Sequence, residues 1–251
     1  METSFLSFDS SVHLYPTKND ACVLNQHEYA SIIGSLRYAT ECTRPDITYA
    51  VNILSRFTSK PSYDHWNAIT RVMKYLKGTI NYGLLYKNYP TVLEGFSDAY
   101  WNSQSGDSLS TTGYIFILGG AAVCWRSKKQ HIIAKSTMEA ELIALASAGE
   151  EASWLRDLLS EIPVWDKPVP PILLHCDSTA AIGRVHNKYY NGKSRAFRRK
   201  HSTVRSYLCD GAINIDHVRS KENLADPLTK ALAREQISQT SKGMGLEPKN
   251  F

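Results

Sequence analysis

The sequence predicts an α/β fold, a mixed sheet with helices packed against it, preceded by a small helical segment. Three observations carry this. Apolar residues recur at helical spacing between Glu28 and Gly78. Near Thr91 the pattern changes to strand-like runs, two of them joined by Gly119-Gly120, a pair that reads as a hairpin turn. Beyond the hairpin, short apolar runs alternate with helical patterns, as in sheets covered by helices.

The elements follow in chain order. Residues 1–27 show no clear period and read as an irregular leader. "EYASIIGSLRYATECT" places Tyr29, Ile32, Ile33, Leu36 and Ala39 near a 3.6-residue period. "RPDITYAVNILSRFTS" opens with Pro45, tolerated in a first turn, and continues with Ile47, Val51 and Leu54. "SYDHWNAITRVMKYLKGT" carries Trp66, Ile69, Val72, Met73 and Leu76 and stops at Gly78. "NYGLLY" reads as a short strand, and residues 28–90 as a helical connecting segment.

A second unit, residues 91–235, opens with the strand "TVLEGFSDAYW". "TGYIFILGG" and "AAVCWRSKK" make the hairpin, and a long helix runs from Ser136 to about Ile162. "PPILLHCD" is a continuous apolar run, as expected of a buried parallel strand. "STAAIGRVHN" reads as a helix, "HSTVRSYLCDG" as a further candidate, "GAINIDHVRS" as a strand and "NLADPLTKALA" as a closing helix. That order contains five strands. Residues 236–251 are left as a C-terminal tail.

With 251 residues and 43% hydrophobic content, the chain can bury a real core and is not a disordered tail. No apolar run approaches the roughly 20 residues that span a bilayer, so no membrane is expected as partner. The N-terminus lacks a basic stretch followed by an apolar one, so a secretory signal is not expected. Five scattered cysteines without a CxxC pair argue against a disulfide framework and a zinc site. A reducing compartment, cytoplasmic or nuclear, is the expected location. The net charge is +5, and "KYYNGKSRAFRRK", Lys188 to Lys200, concentrates six basic residues.

Carboxylates at element ends carry the chemistry. Asp98 ends the first strand of the second unit, and Asp177 ends the fourth. Ligands of open α/β sheets gather at the carboxyl ends of parallel strands. Asp226 lies in the first turn of the predicted closing helix. Each has a plainer reading: Asp177 as a helix N-cap, Asp226 as a complement to a helix dipole. "KSTMEAELIAL" holds two glutamates. Ser136 and Glu139 fit a capping box, in which Ser136 accepts from the Glu139 amide and Glu139 reaches back to the Ser136 amide. Glu141 stands about 200° further round the helix and has no capping task. A metal site shared with Asp98 and Asp177 supplies its reason. Clustered carboxylates repel unless cations join them, and all-oxygen ligands favour Mg²⁺ or Mn²⁺. Two such ions about 4 Å apart suit attack of water on a phosphodiester.

"GFSDAYWN", "SLSTTGYIFILGGAAVCWRSKKQHIIAKSTMEAELIAL", "LLHCDSTAAI" and "KENLADPLTK" resemble the ribonuclease H domain at the C-terminal end of copia-type retrotransposon Pol polyproteins. "YASIIGSLRYATECTRPDITYAVNILSRF" and "HWNAITRVMKYLKGTINYGLLY" resemble the segment joining reverse transcriptase to that domain. The resemblance covers roughly residues 28–235. It implies a ribonuclease H-like fold, a mixed five-stranded sheet with helices on both faces. It also implies two-metal hydrolysis of RNA in RNA–DNA hybrids, with Asp98, Glu141, Asp177 and Asp226 as the metal-binding acids and no small-molecule cofactor. The chain lacks a Tyr/Phe-x-Asp-Asp polymerase motif. The loop "RSKENLAD" lacks the histidine that many relatives carry before the last acid; His217, His201, His175 and His186 read as structural or surface groups.

For nucleic acid, Lys193, Arg195, Arg198, Arg199 and Lys200 offer phosphate contacts, with Tyr189, Tyr190 and Phe197 available for stacking. Trp101, Asn102 and Ser178 flank acids and are further candidates. A solvated basic loop is the plainer reading of the charge run. The rival to a nuclease is a catalytically silent nucleic-acid-binding or interaction protein derived from a retroelement fragment.

Overall fold

A computed structural model of the chain describes residues 14–15, 25–87, 91–101, 109–190, 192 and 194–249. The N-terminal part holds α1 (Gln26–Cys42), α2 (Thr48–Leu54) and α3 (Tyr63–Gly78). Tyr29, Ile33, Leu36, Leu54, Ile69 and Val72 bury into one apolar cluster among them. Asn25 caps α1 by accepting from the Glu28 amide. At α3, Ser62 and His65 cap each other's backbone reciprocally, a capping box with histidine in the usual Glu/Gln place.

The second helical pattern is not one helix. Arg44, outside the helical region before Pro45 (φ −128°, ψ 73°), leads into a 3₁₀ turn at Pro45–Ile47, and a second such turn at Ser55–Phe57 ends α2. A residue before proline avoids the helical region, which sets the break at Arg44. Arg44 then grips Asp46 through two hydrogen bonds, of 3.0 and 2.8 Å. The Tyr75 hydroxyl donates to Asp46 at 2.7 Å, tying α3 to this corner.

The remaining strands are β1 (Tyr82–Leu84), β2 (Glu94–Tyr100), β3 (Thr111–Leu118), β4 (Ala121–Lys129), β5 (Ile172–Cys176), β6 (Ile213–His217) and β7 (Leu246–Pro248). Five of them form a sheet in the order β4-β3-β2-β5-β6. β2, β3 and β4 run antiparallel by direct connections. β5 and β6 lie parallel to β2 and are reached through helices. This strand order and direction is the ribonuclease H-like fold. The hairpin forms as expected: Gly119 and Gly120 have φ of 61° and 80°, the left-handed values that a two-residue type I′ turn needs.

Helices α4 (Thr137–Glu161), α5 (Thr179–His186) and α6 (Arg195–Cys209) pack on one face. Phe116, Leu142, Leu145, Leu174, Val204 and Ile213 form the core between. The other face buries Ile115, Ala122, Ala225, Leu228 and Met244, with α2 lying against β4.

Three segments differ from expectation. The second half of the basic run is not a loop, because α6 already begins at Arg195. "NLADPLTKALA" is not an α-helix; it holds a 3₁₀ turn at Asp226–Leu228, and another, Ser220–Glu222, comes just before it. Ala225 and Leu228, three residues apart, both bury against β3, which suits an i→i+3 turn. The stretch read as a tail holds most of α7 (Arg234–Gly243) and all of β7, which pairs antiparallel with β1.

Candidate metal centre and nucleic-acid face

The parallel pairing of β2 and β5 builds the centre of the site. Ser97 lies opposite Cys176 in that ladder, so the next residues, Asp98 and Asp177, emerge side by side. Asp226 arrives from the 3₁₀ turn that rests on β3, and Glu141 from the first turns of α4. Carboxylate oxygens of Asp98, Asp177 and Asp226 all lie within 4.8 Å of one another. Ligand atoms of Glu141, Cys176 and Asp177 are grouped as closely. The four predicted acids are thus brought together. Asp98, Glu141 and Asp226 are only 3%, 6% and 4% exposed, and Asp177 is half-buried.

Burial and the repulsion of neighbouring carboxylates push Asp98, Glu141 and Asp226 up. Burial is the larger cause for Asp98, followed by the charge of Asp226; Lys230 and the Thr229 hydroxyl work against them, leaving Asp98 at about 7. Glu141 is raised well above the carboxylate range by burial, then by Asp98 and Asp177. Asp226 is raised by burial, opposed by its hydrogen bond to Lys230. Such a cluster favours protons or cations over four bare charges.

The plainer readings of these acids find no support in the geometry. Ser178, not Asp177, caps α5, its hydroxyl accepting from the Ala181 amide at 3.2 Å. Asp226 starts a 3₁₀ turn and has no α-helix dipole to complement. At α4, Ser136 accepts from the Glu139 amide at 3.2 Å as expected. The return half of the box is shifted by one residue, because Glu139 accepts from the Lys135 amide at 2.7 Å and not from Ser136. The extended backbone of Ser136 (φ −154°, ψ 162°) leads into this contact.

Three residues outside the expected set hold the acids in place. Thr229 donates its hydroxyl to Asp98. Lys230 Nζ lies 2.7 Å from Asp226 Oδ1. Buried Asn223 donates to the Ser97 carbonyl at 3.0 Å and accepts from the Ala225 amide at 3.1 Å, clamping the turn to β2. The i, i+4 spacing of Asp226 and Lys230 in "DPLTK" is the sequence signal for one of them. The contacts of Thr229 with Asp98 and of Asn223 with Ser97 have no local signal, since they span more than a hundred residues.

The donor set fits a hard divalent ion. Among the described residues, the buried Glu141 Oε2 has no hydrogen-bond partner. Every carboxylate in the cluster offers oxygen, the ligand atom of Mg²⁺ and Mn²⁺ sites. Burial, first, and then Glu141 push the Cys176 thiol far up, so it stays protonated and outside such a set.

The expected nucleic-acid residues divide. Trp101 is exposed along much of its ring, with Nε1 donating to the Ala134 carbonyl at 2.9 Å. Asn102 and Lys193 lie outside the described residues. Arg195, Arg198 and Arg199 are exposed on α6, whereas Lys200 turns towards α4 and pairs with Glu150 at 3.2 Å. The helix therefore splits the run between two faces. Arg198 lines a groove of about 480 Å³ with Lys188, Tyr189, Tyr190 and Arg205. Arg184 lies over the Tyr190 ring and Lys188 over the Tyr189 ring, at 5.4 and 5.7 Å. Phe197 is buried in the core and unavailable for stacking on a base. Buried His201 contacts the Arg184 and Asn187 carbonyls, and His175 stacks on Phe96.

No model of a known protein family matches the sequence. Retrovirus-related Pol polyproteins from transposons of Arabidopsis thaliana and Nicotiana tabacum are 37% and 34% identical over 220 and 218 residues, each match covering 87% of this chain. The chain spans only 15% and 16% of their lengths. The secreted RxLR effector protein 161 of Plasmopara viticola is 45% identical over 128 residues, 51% of this chain and 90% of that protein. Among solved structures, ribonuclease H1 of the archaeon Halobacterium salinarum is similar at 21% identity, covering 55% of this chain and 93% of that one, with a TM-score of 0.40. No helix among the described residues is long and apolar enough to cross a membrane. Over 87% of its length the chain is thus homologous to a short part of the retrovirus-related Pol polyproteins of transposons, and that part folds as a ribonuclease H-like α/β unit.

Proposed function

We propose that this chain is a ribonuclease H of a copia-type element, an endonuclease that hydrolyses the RNA strand of RNA–DNA hybrids with two Mg²⁺ or Mn²⁺ ions. The observation that carries the proposal is the convergence of Asp98, Glu141, Asp177 and Asp226, with a buried Glu141 oxygen left without a partner. Homology to transposon Pol polyproteins supports it.

When bound, such ions activate water for in-line attack and stabilise the leaving 3′ oxygen. The protein's own groups set the stage for this. Thr229 fixes the Asp98 carboxylate, and Asn223 fixes the turn that carries Asp226. Exposed Arg195, Arg198 and Arg199 are suited to phosphates, and Tyr189, with Lys188 over its ring, to sugars or bases. Ser178 follows Asp177 directly and exposed Trp101 comes three residues after Asp98, positions suited to contact with a strand entering the site. The RNA strand would be distinguished by its 2′-hydroxyls and A-like minor groove, with little sequence preference.

The test uses one end-labelled RNA presented as a hybrid, as a single strand and as an RNA duplex, each with Mg²⁺, Mn²⁺ or EDTA. Cleavage of the hybrid alone, dependent on metal and leaving 3′-hydroxyl and 5′-phosphate ends, is the expected result. Hybrid binding without cleavage in either metal would instead identify a catalytically silent binding protein.

A further inference from the structure

Among the described residues, Lys230 is the cation that forms an ion pair with one of the four acids. Its Nζ is 2.7 Å from Asp226 Oδ1, with the side chain one-third exposed and that of Asp226 6% exposed. Its charge also acts on Asp98 and Glu141. The 2.7 Å ion pair to a buried carboxylate holds the ammonium in place.

The turn explains why. The Thr229 and Lys230 amides both bond to the Asp226 carbonyl, at 3.1 and 3.2 Å. The same turn then delivers the Thr229 hydroxyl to Asp98 and the Lys230 ammonium to Asp226. Two adjacent residues thus engage two different acids. The arrangement puts one positive charge where the cluster otherwise needs a proton or a metal ion.

We propose that Lys230 is an internal counter-ion, which holds the cluster assembled without metal and is displaced from Asp226 when a divalent ion binds. This rests on reading the four acids as a metal site. A lysine that is only an outer support, holding the Asp226 carboxylate towards the metal, would have the opposite effect on affinity, because its loss would loosen a ligand. An internal competitor lowers the apparent affinity of the ion it competes with, so its removal tightens binding.

The experiment is calorimetric titration of the metal-free full chain with Mn²⁺, comparing wild type with Lys230→Gln. The variant should bind about tenfold more tightly, which corresponds to about 1.4 kcal/mol, and its metal-free form should melt at a lower temperature. Unchanged or weaker binding by Lys230→Gln overturns the proposal. Absence of Mn²⁺ binding to both proteins would instead overturn the reading of the acids as a metal site, so the two failures are distinct. If Lys230→Gln does not fold, wild type suffices. Limited acetylation followed by peptide mass spectrometry should show Lys230 becoming several-fold more reactive on adding Mn²⁺, as the amine leaves Asp226. Equal or lower reactivity with metal overturns the proposal as well.

Discussion

Gly113 lies directly across from Asp98 in the β2–β3 ladder, and the turn carrying Asp226 rests on its bare backbone. A Cβ on Gly113 would stand 2.9 Å from the Leu228 Cβ and 3.0 Å from the Ala225 carbonyl oxygen. Neither can move without shifting the turn. Gly113→Ala is expected to cost about 1–3 kcal/mol, the usual range for overpacking. It should weaken Mn²⁺ binding as well, because Asp226 moves with its turn. Urea melts and metal titration of the same variant check both effects. Wild-type values in both would show that the turn does not depend on this contact.

Glu139 and Glu141 should separate cleanly. Glu139 accepts the Lys135 amide at the start of α4, so Glu139→Ala should lower stability by about 0.5–2 kcal/mol and leave metal binding largely intact. Glu141→Gln keeps the shape of a buried carboxyl whose ionisation burial already disfavours. Its metal-free melting temperature should stay close to wild type, while the stabilisation brought by Mg²⁺ shrinks. Thermal melts with and without Mg²⁺ decide; swapped effects would reverse the assignment of the two residues.

The raised Asp98 carboxyl makes metal-free stability depend on pH. Its folded value, about 7, lies above that of an unfolded aspartate. The folded state therefore binds the proton more tightly, and this contribution is complete below about pH 4 and lost as pH rises through 7. In EDTA, Asp98→Asn should therefore gain stability over wild type as pH rises from 4 to 8, by on the order of a few kcal/mol at most. Mg²⁺ should stabilise wild type more at pH 8 than at pH 5, since the ion replaces protons. A difference between wild type and Asp98→Asn that is flat with pH would contradict the assigned cause.

On α6, the phosphate contacts should follow the helix face and not the charge count. Alanine at Arg195, Arg198 and Arg199 should each flatten the slope of log K against log salt for hybrid binding by roughly 0.7–0.9. Alanine at Lys200 should leave it unchanged, because that ammonium pairs with Glu150. A titration in Ca²⁺ gives the slopes. An unchanged slope in the triple arginine variant would move the binding face elsewhere.

Much of the fold was legible because local signals agree with the packing. The Gly119-Gly120 hairpin, the Ser136 cap and the apolar run of β5 each have a short-range cause and appear where expected. The closing segment was misread because its backbone answers to distant partners. Gly113 and Ser97, far along the chain, receive the turn in place of the helix that its apolar spacing predicts. The acids were legible as candidates from strand ends and capping logic. Their support was not: Thr229 reaches Asp98 across 131 positions, beyond any local pattern. The division of the basic run was also hidden, since it follows from where α6 begins and from Glu150 on α4.

Cleavage of a labelled RNA–DNA hybrid by Asp177→Asn, beside wild type and in saturating Mg²⁺, tests the shared acid site most directly. Asp177 belongs to both close groups in the cluster, lies at the end of β5 and leaves the capping of α5 to Ser178. Cleavage should fall by about a hundredfold or more, since loss of an outer partner of a metal ligand already costs about 10–100-fold, with the hybrid still bound and the melting temperature close to wild type. Wild-type cleavage by Asp177→Asn would contradict a metal site built from these four acids.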